Sequence, residues 1–257
     1  TPLAGHVIKP FLAREDLIAY LDAIMRVYNL HGRRDNKYKA RIKILVKALT
    51  PAGFAEKVEA EFAHTQTLLK VQPSVLAQMD AVFRPFAYEA LDAENFEALF
   101  QQYPKFKYWF NINTHAHKVA GYRIVTISLK RAGVAPGHMT TDEMRLISDL
   151  AHQYTFGELR TTHEQNIALT DVRQKDLFEL WQVLERGNLA RAHIGILTDM
   201  ICCPGGDFCS LANAKSIPVY EAIARRFDDL DALYHLGKVD LNISGCMNAC
   251  GHPQVGK

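Results

Sequence analysis

Apolar residues at Leu17, Ile18, Leu21, Ile24, Met25 and Tyr28 fall on one helical face and predict a helix from Glu15 to Tyr28, ended by Asn29-Leu30-His31-Gly32. The next stretch sets Arg33, Arg34, Lys37, Lys39, Arg41 and Lys43 against one acid, Asp35, with apolar residues at 40, 42, 44, 45 and 48. It predicts an amphipathic helix with a basic face. A further helix is expected from Pro51 to about Phe62, since proline suits a first helical turn and Glu56, Glu59 and Glu61 are good helix formers. Residues 64–104 mix short helical patterns with loops and read as a linker between two halves.

Beyond the linker the period changes. Phe106 to Ile112 and Gly121 to Leu129 are rich in strand-forming residues, and the polar stretch from Asn113 between them predicts a hairpin. Thr140 or Thr141, followed by acids, caps a helix running to about Tyr154. Leu159 to Thr162 and Asn166 to Leu169 are expected as short strands, and Asp171 as the cap of a helix to about Arg186. This order of strands and helices matches a ferredoxin-like unit, an α+β sandwich. Ala192 to Met200 reads as a buried strand. Ser210 to about Phe227 reads as a helix kinked at Pro218, with its N–H dipoles beside Cys209, and Lys238 to Ser244 as a strand.

Composition changes this picture little. With 48% hydrophobic and 23% charged residues the 257-residue chain is ordinary for a globular protein, and a net charge of +2 gives no ground for nucleic-acid binding. No apolar run reaches the length of a membrane span, and no signal peptide opens the chain. Unpaired cysteines without an export signal fit a reducing cytoplasm. The chain begins at Thr1 and stops seven residues after Cys250, which reads as a fragment.

All five cysteines lie at the C-terminal end. Cys203 and Cys209 have five residues between them, and Cys246 and Cys250 have three. Disulfides suit this pattern poorly, because it lacks the density of a secreted scaffold. Structural zinc is the second reading, although its ligand pairs usually sit closer than the Cys203–Cys209 gap. An iron–sulfur cluster is the third and is favoured, since four thiolates converging from loops are what it requires. Pro204-Gly205-Gly206, and Gly245 with Gly251, give both pairs little side-chain bulk and let main-chain N–H groups approach sulfur. Cys202 is expected to be a small buried apolar residue, because adjacent cysteines do not easily aim at one site. His115 and His117 are two apart with no third metal ligand in view, so they read as satisfied loop polars.

The stretches CPGGDFCSLANAKSIP and ISGCMNACGH, with HGRRDNKYKARIKIL and GELRTTHEQNIAL, resemble the siroheme and 4Fe–4S nitrite/sulfite reductases, in particular the hemoprotein component of sulfite reductase. The resemblance implies an α+β fold, a ferredoxin-like unit followed by an α/β siroheme/4Fe–4S domain. It implies the end of a siroheme-binding half-domain over 1–65, the linker over 66–104, the ferredoxin-like repeat over 105–190 and the cluster domain over 191–257. It implies a 4Fe–4S cluster on Cys203, Cys209, Cys246 and Cys250, with the Cys250 sulfur shared with siroheme iron. Arg33, Arg34, Lys37 and Arg41 would neutralise siroheme carboxylates. Thr162, Gln165, Asn166 and Asn248 would border the cofactors. The implied activity is six-electron reduction of sulfite to sulfide, with nitrite to ammonia as the alternative and a non-catalytic iron–sulfur or zinc module as a third reading. Electrons would come from a flavoprotein subunit or a ferredoxin. The family draws most substrate-binding Arg and Lys residues from an earlier half that has no match here, so the chain alone is expected to be inactive.

Overall fold

The computed structural model describes residues 3–131, 133–227 and 229–255. The chain forms two compact units, Leu3–Pro85 and Phe86–Lys257.

The first unit is helical. Helix α1 (Leu17–His31) buries Ala19, Tyr20, Ala23 and Val27 at helical spacing against Phe54, Val58 and Phe62 of α2 (Ile42–Leu69), while Leu17, Ile18, Leu21 and Met25 of the predicted apolar face stay exposed. Tyr20 meets Phe62 edge to face at 5.1 Å. Its hydroxyl donates to Glu59 Oε1 (2.9 Å), which also pairs with Lys9, and burial together with that acid pushes the phenol up to about 12. Helix α3 (Pro73–Val82) follows with proline in its first turn.

The basic segment differs from its expected helix. Residues 32–41 are irregular, with one 3-10 turn at Lys37–Lys39, and the helix begins only at Ile42. Gly32 turns extended, Asn36 Oδ1 accepts from Tyr38 N (3.0 Å), and Arg33 pairs with Asp35 two residues on. These local bonds compete with a helical ladder. The helices expected before and after Pro51 are one element broken at Thr50 (φ 66°, ψ 156°): the proline ring disfavours helical ψ in its predecessor, while the positive φ lies outside what proline alone imposes.

The second unit opens with α4 (Glu97–Gln102) and α5 (Pro104–Asn113). Helix α5 replaces the strand expected over Phe106–Ile112. Pro104 starts it, and Phe106, Trp109 and Asn113 recur at three and four residues on its buried face. The hairpin therefore shifts to β1 (Thr114–Ala116) and β2 (Tyr122–Ile127), paired antiparallel with Thr114 opposite Val125. Helix α6 (Thr141–Tyr154), β3 (Arg160–Thr161), β4 (Ile167–Arg173) and α7 (Leu177–Arg186) complete an antiparallel sheet of order β1-β2-β4-β3 with its helices. Asp171 caps nothing; it is buried in β4, where Oδ1 accepts from the Tyr88 hydroxyl (2.7 Å) and faces His117 Nε2 (3.3 Å). His117 Nδ1 accepts from Val119 N (3.0 Å), so this ring is satisfied locally, as expected of a loop polar.

The core joins Val125, Ile127, Ile167, Leu169 and Val172 of the sheet to Ile147 and Leu150 of α6 and Leu177, Leu180 and Leu184 of α7. Burying each such side chain stabilises the fold by about 1.5–3 kcal/mol. Helix α6 begins with the predicted capping box: Thr140 Oγ1 accepts from Glu143 N (3.2 Å) and Glu143 Oε2 from Thr140 N (2.8 Å). The Arg131 guanidinium on the Glu143 carboxylate holds it down to about 2, with burial opposing. That stabilisation is complete above the ordinary value of 4.5 and is lost as pH falls toward 2. Thr140→Ala is expected to cost about 1 kcal/mol in urea unfolding. Glu143→Gln is expected to flatten the acid limb of the stability curve. An unchanged acid limb would remove Glu143 from the account. Among the described residues no helix is long and apolar enough to cross a membrane.

Candidate cysteine-loop site

Two short strands hold the cysteine loops together. β5 (Ile201–Cys202) runs parallel to β6 (Asn242–Ile243), with Cys202 opposite Ile243. Cys203 follows β5 directly and its N–H donates to Ile243 O (3.0 Å). Beyond the ladder the two loops interlock. Asn213 N and Ala214 N both donate to Gly245 O (2.9 and 3.0 Å), and Gly206 N donates to Ala214 O (3.0 Å). A Cβ on Gly245 would lie 2.6 Å from Ala214 O and 3.0 Å from Gly205 Cα, so the approach requires glycine. Gly205 adopts φ +56° and leaves no room for a side chain beside Ser216 Oγ.

The expected strand over Ala192–Met200 is instead irregular, with a 3-10 turn at Leu197–Asp199. The reason is a buried polar network that draws its side chains inward. His193 Nε2 lies 2.5 Å from Ser128 Oγ and its Nδ1 2.9 Å from Thr198 Oγ1. Burial holds that imidazole well below its ordinary value, hence neutral. Asp199 Oδ1 accepts from Lys130 Nζ (2.6 Å) and from Asn166 Nδ2 (2.9 Å), and Oδ2 accepts from Gly195 N (2.9 Å). Lys130 is 1% exposed, and burial lowers its ammonium while Asp199 pulls it back.

The helix expected from Ser210 starts only at Ile217: α8 spans Ile217–Arg226, with Pro218 in its first turn rather than at a kink. Asn213 and Ala214 give their N–H groups to Gly245 O in the opposite loop and Ala212 N turns back to Cys209 O, so no helix start stands beside Cys209. A short helix α9 (Leu230–Leu236) follows. The strand expected over Lys238–Ser244 contracts to β6, with an isolated bridge between Ile196 and Lys238.

No cysteine is disulfide-bonded. Cys202 is 2% exposed and packs with Met200, Tyr220 and Ala224, and burial pushes its thiol up to about 11. Cys203, Cys209 and Cys246 are half-buried and Cys250 is exposed. The Cys203 sulfur accepts from Gly245 N (3.1 Å) and lies 3.6 Å from Ser216 Oγ. Burial pushes this thiol up, but the bonds from Gly245, Ser216 and Gly205 outweigh it and leave the thiol below its ordinary value, as suits a metal ligand. Among the described residues no three His, Cys, Asp or Glu side chains converge to hold a metal ion. A single tetrahedral zinc needs its sulfurs about 2.3 Å from one point. A cube of four irons takes each thiolate at a separate corner. It asks for neighbouring loops with open thiols and main-chain N–H groups directed at sulfur; here the two loops are neighbours and the Gly245 N–H is directed at the Cys203 sulfur.

The other sequence-predicted residues fall in two groups. Arg33, Arg34, Lys37 and Arg41 belong to the first unit. Arg33 pairs with Asp35, Arg34 stacks on the Tyr28 ring at 4.7 Å, Lys37 sits over the Tyr38 ring at 5.2 Å, and Arg41 immediately precedes α2. Thr162, Gln165, Asn166 and Asn248 belong to the second. Thr162 and Asn166 line a cavity of about 350 Å³ that also borders Asp199, Ile201 and Asn242. Gln165 uses both ends of its carboxamide on the main chain of Cys202. Asn248 is half-buried within the Cys246–Cys250 turn. Sequence reasoning missed Lys130, Asp199, His193 and Ser216, whose partners are distant in the chain.

Residues 1–66 match the family model described as the nitrite and sulphite reductase 4Fe-4S domain, and residues 121–187 match the nitrite/sulfite reductase ferredoxin-like half domain. The cysteines lie outside both matched ranges. Ferredoxin–nitrite reductase of Betula pendula is 24% identical over 250 residues, covering 95% of this chain and 36% of the relative. That of Synechococcus elongatus is 25% identical, covering 95% and 40%. Sulfite reductase [ferredoxin] 2 of Mycolicibacterium paratuberculosis is 24% identical, covering 91% and 36%. The solved structure of Mycobacterium tuberculosis NirA protein shares the fold with a TM-score of 0.62 at 20% identity, over 98% of this chain and 40% of that one. The chain thus spans 36–40% of the length of these relatives. With two family models aligned in order and an α+β architecture to match, the chain belongs to the siroheme and 4Fe–4S nitrite/sulfite reductase family.

Proposed function

We propose that this chain is the cluster-bearing part of a reductase that converts sulfite to sulfide or nitrite to ammonia, with Cys203, Cys209, Cys246 and Cys250 holding the 4Fe–4S cluster. The observation that carries this reading is the interlocked pair of loops, joined by the β5–β6 ladder and by Gly245, whose N–H is directed at the Cys203 sulfur. Main-chain N–H groups stabilise thiolate charge and tune such a centre. Cys250, the exposed thiol of the four, is the one open to sharing with siroheme iron. On this reading residues 1–65 close a siroheme-binding half-domain, 66–104 link it to the ferredoxin-like repeat at 105–190, and 191–257 form the cluster domain. Arg33, Arg34, Lys37 and Arg41 supply cations for a macrocycle rich in carboxylates. Thr162, Asn166 and Asn248 border the cofactors. When bound, the coupled cofactors supply electrons one at a time to the oxyanion.

The relatives' names include both nitrite and sulfite reductases and support ferredoxin as the electron donor. Unpaired cysteines suit a reducing compartment such as the cytoplasm. Because the relatives are much longer, the cationic pocket for the oxyanion is expected to draw on residues beyond this chain. Anaerobic reconstitution tests the reading. The chain is expected to take up about four irons with matching sulfide, and by itself to turn over neither sulfite nor nitrite. Uptake of zinc in place of iron and sulfide would end the cluster assignment, and turnover by the chain alone would end the claim of a missing pocket.

A further inference from the structure

We propose that Gln165 is a positioning residue: its carboxamide takes the place of a neighbouring strand on the outer edge of β5 and fixes the peptide plane from which Cys203 projects. This inference rests on the assignment of Cys203 as a cluster ligand.

Among the described residues strand β5 has one strand neighbour, β6. Toward β6, Ile201 N donates to Leu241 O (2.9 Å) and Cys203 N to Ile243 O (3.0 Å). The alternate residue, Cys202, directs its N–H and C=O to the other side. There Gln165 Nε2 donates to Cys202 O (2.8 Å) and Gln165 Oε1 accepts from Cys202 N (2.9 Å). One side chain thus makes the two-bond exchange that a facing strand residue would make. The carbonyl of Cys202 and the N–H of Cys203 belong to the same peptide unit. Gln165 holds one end of that plane and Ile243 the other, and Ser216 Oγ donating to Cys203 O (2.6 Å) holds the next plane, so the backbone from which the Cys203 side chain projects is fixed on both sides.

The turn that presents Gln165 is itself over-determined. Gln165 adopts φ +62°, a left-handed conformation uncommon for a residue other than glycine. It is kept there by Gln165 N donating to Thr162 O (3.1 Å), Thr162 N to Asn166 O (2.9 Å) and Asn166 N to Thr162 Oγ1 (3.3 Å). Gly137 backs it closely, leaving only 3.2 Å between a Cβ placed there and Gln165 Cβ. The flanking residues reach the same segment: Lys130 Nζ donates to both Glu164 O and Asp199 Oδ1, and Asn166 Nδ2 donates to Asp199 Oδ1. Three successive residues of the β3–β4 turn are thereby tied to residues 199–202, and only Gln165 acts on the peptide next to the ligand.

Two variants of the full chain test this. Gln165→Met keeps length and removes both bonds. Gln165→Glu restores both when protonated, donating O–H to Cys202 O, and repels that carbonyl when ionised. Hydrogen exchange of the cofactor-free chain and the paramagnetic resonance spectrum of the reduced, reconstituted cluster are measured. In Gln165→Met the Cys202 amide is expected to exchange at least about tenfold faster while β2 and β4 amides stay unchanged, and the cluster spectrum to shift. In Gln165→Glu the wild-type spectrum is expected near pH 5 and the shifted one near pH 8, since a half-buried position against a carbonyl that only the protonated form can bond raises a carboxyl above its usual value of about 4.3. Exchange accelerated equally across the sheet with an unchanged spectrum would reduce Gln165 to a fold-stabilising residue and overturn the proposal, as would wild-type behaviour in both variants. If Gln165→Met fails to fold, the pair of spectra of Gln165→Glu at the two pH values decides between the same outcomes. A wild-type chain that takes up no iron fails the cluster assignment, and the Cys202 exchange rate still shows separately whether Gln165 clamps that peptide.

Discussion

Cys203→Ser is expected to leave the chain folded and without a cluster, while Cys202→Ala, one residue away, keeps it. The Cys203 sulfur is half-buried at the end of β5, takes the Gly245 N–H at 3.1 Å and lies below the ordinary thiol value. A serine hydroxyl does not ionise near neutral pH and is a poor ligand for iron in place of thiolate. Cys202, by contrast, is 2% exposed inside an apolar cluster and held up near 11. Its loss removes one small buried group, about 1 kcal/mol. Iron and acid-labile sulfide are expected to fall from about four each to background in Cys203→Ser, with unchanged far-ultraviolet dichroism. Full iron content in Cys203→Ser, or its disappearance in Cys202→Ala, would mean that the ligand set is a different one.

The second large effect concerns the buried pair beneath the loops. Asp199→Ala leaves the Lys130 ammonium, whose side chain has no exposed surface, with main-chain carbonyls alone. Breaking such a pair costs about 3–5 kcal/mol. It also strips Asn166 Nδ2 and Gly195 N of their acceptor. The double variant Lys130→Met with Asp199→Asn removes the buried charge and is expected to recover much of the loss, because an uncompensated ion costs more than a neutral pair. Urea midpoints of the three proteins decide it. A single variant within about 0.5 kcal/mol of wild type would show that water reaches the pair freely.

What the sequence reveals and what it conceals divides by the reach of each interaction. The capping box at Thr140 and Glu143 spans three residues and is readable, as is the existence of the helix from Leu17 to His31; its buried face is not, since Leu17, Ile18, Leu21 and Met25 stay exposed and Ala19, Tyr20, Ala23 and Val27 pack inward. The spacing of the cysteines and the glycines around them favours an iron–sulfur reading of the loops, and the close approach that Gly245 makes to Ala214 is a feature those glycines signal. The helix over Pro104–Asn113 reads as a strand because Phe106, Tyr108, Trp109 and Phe110 favour strands when taken singly, whereas their burial follows the helical period. Residues 210–216 look helical because nothing local shows that Ala214 N is spent on Gly245 O. Gln165 is legible as a residue near the site, but its hold on Cys202, thirty-seven positions away, is not. Lys130 and Asp199 are sixty-nine positions apart, and each alone resembles an ordinary surface charge.

The parallel pairing of β5 with β6 also fixes an order of events in time. The ladder joins Cys202 to Ile243 and so closes a loop of roughly forty residues, at an entropic cost of about 3 kcal/mol beyond the constant for any closure. During synthesis at about 5–20 residues per second, the second cysteine pair trails the first by several seconds. Cys203 and Cys209 therefore spend that interval as an unpartnered dithiol, open to oxidation or to capture by a stray metal. On the proposed ligand set, a centre that needs both pairs can be completed only once this closure has occurred, which would make cofactor insertion a late step in the life of the chain and the reducing power of its surroundings a condition of its maturation.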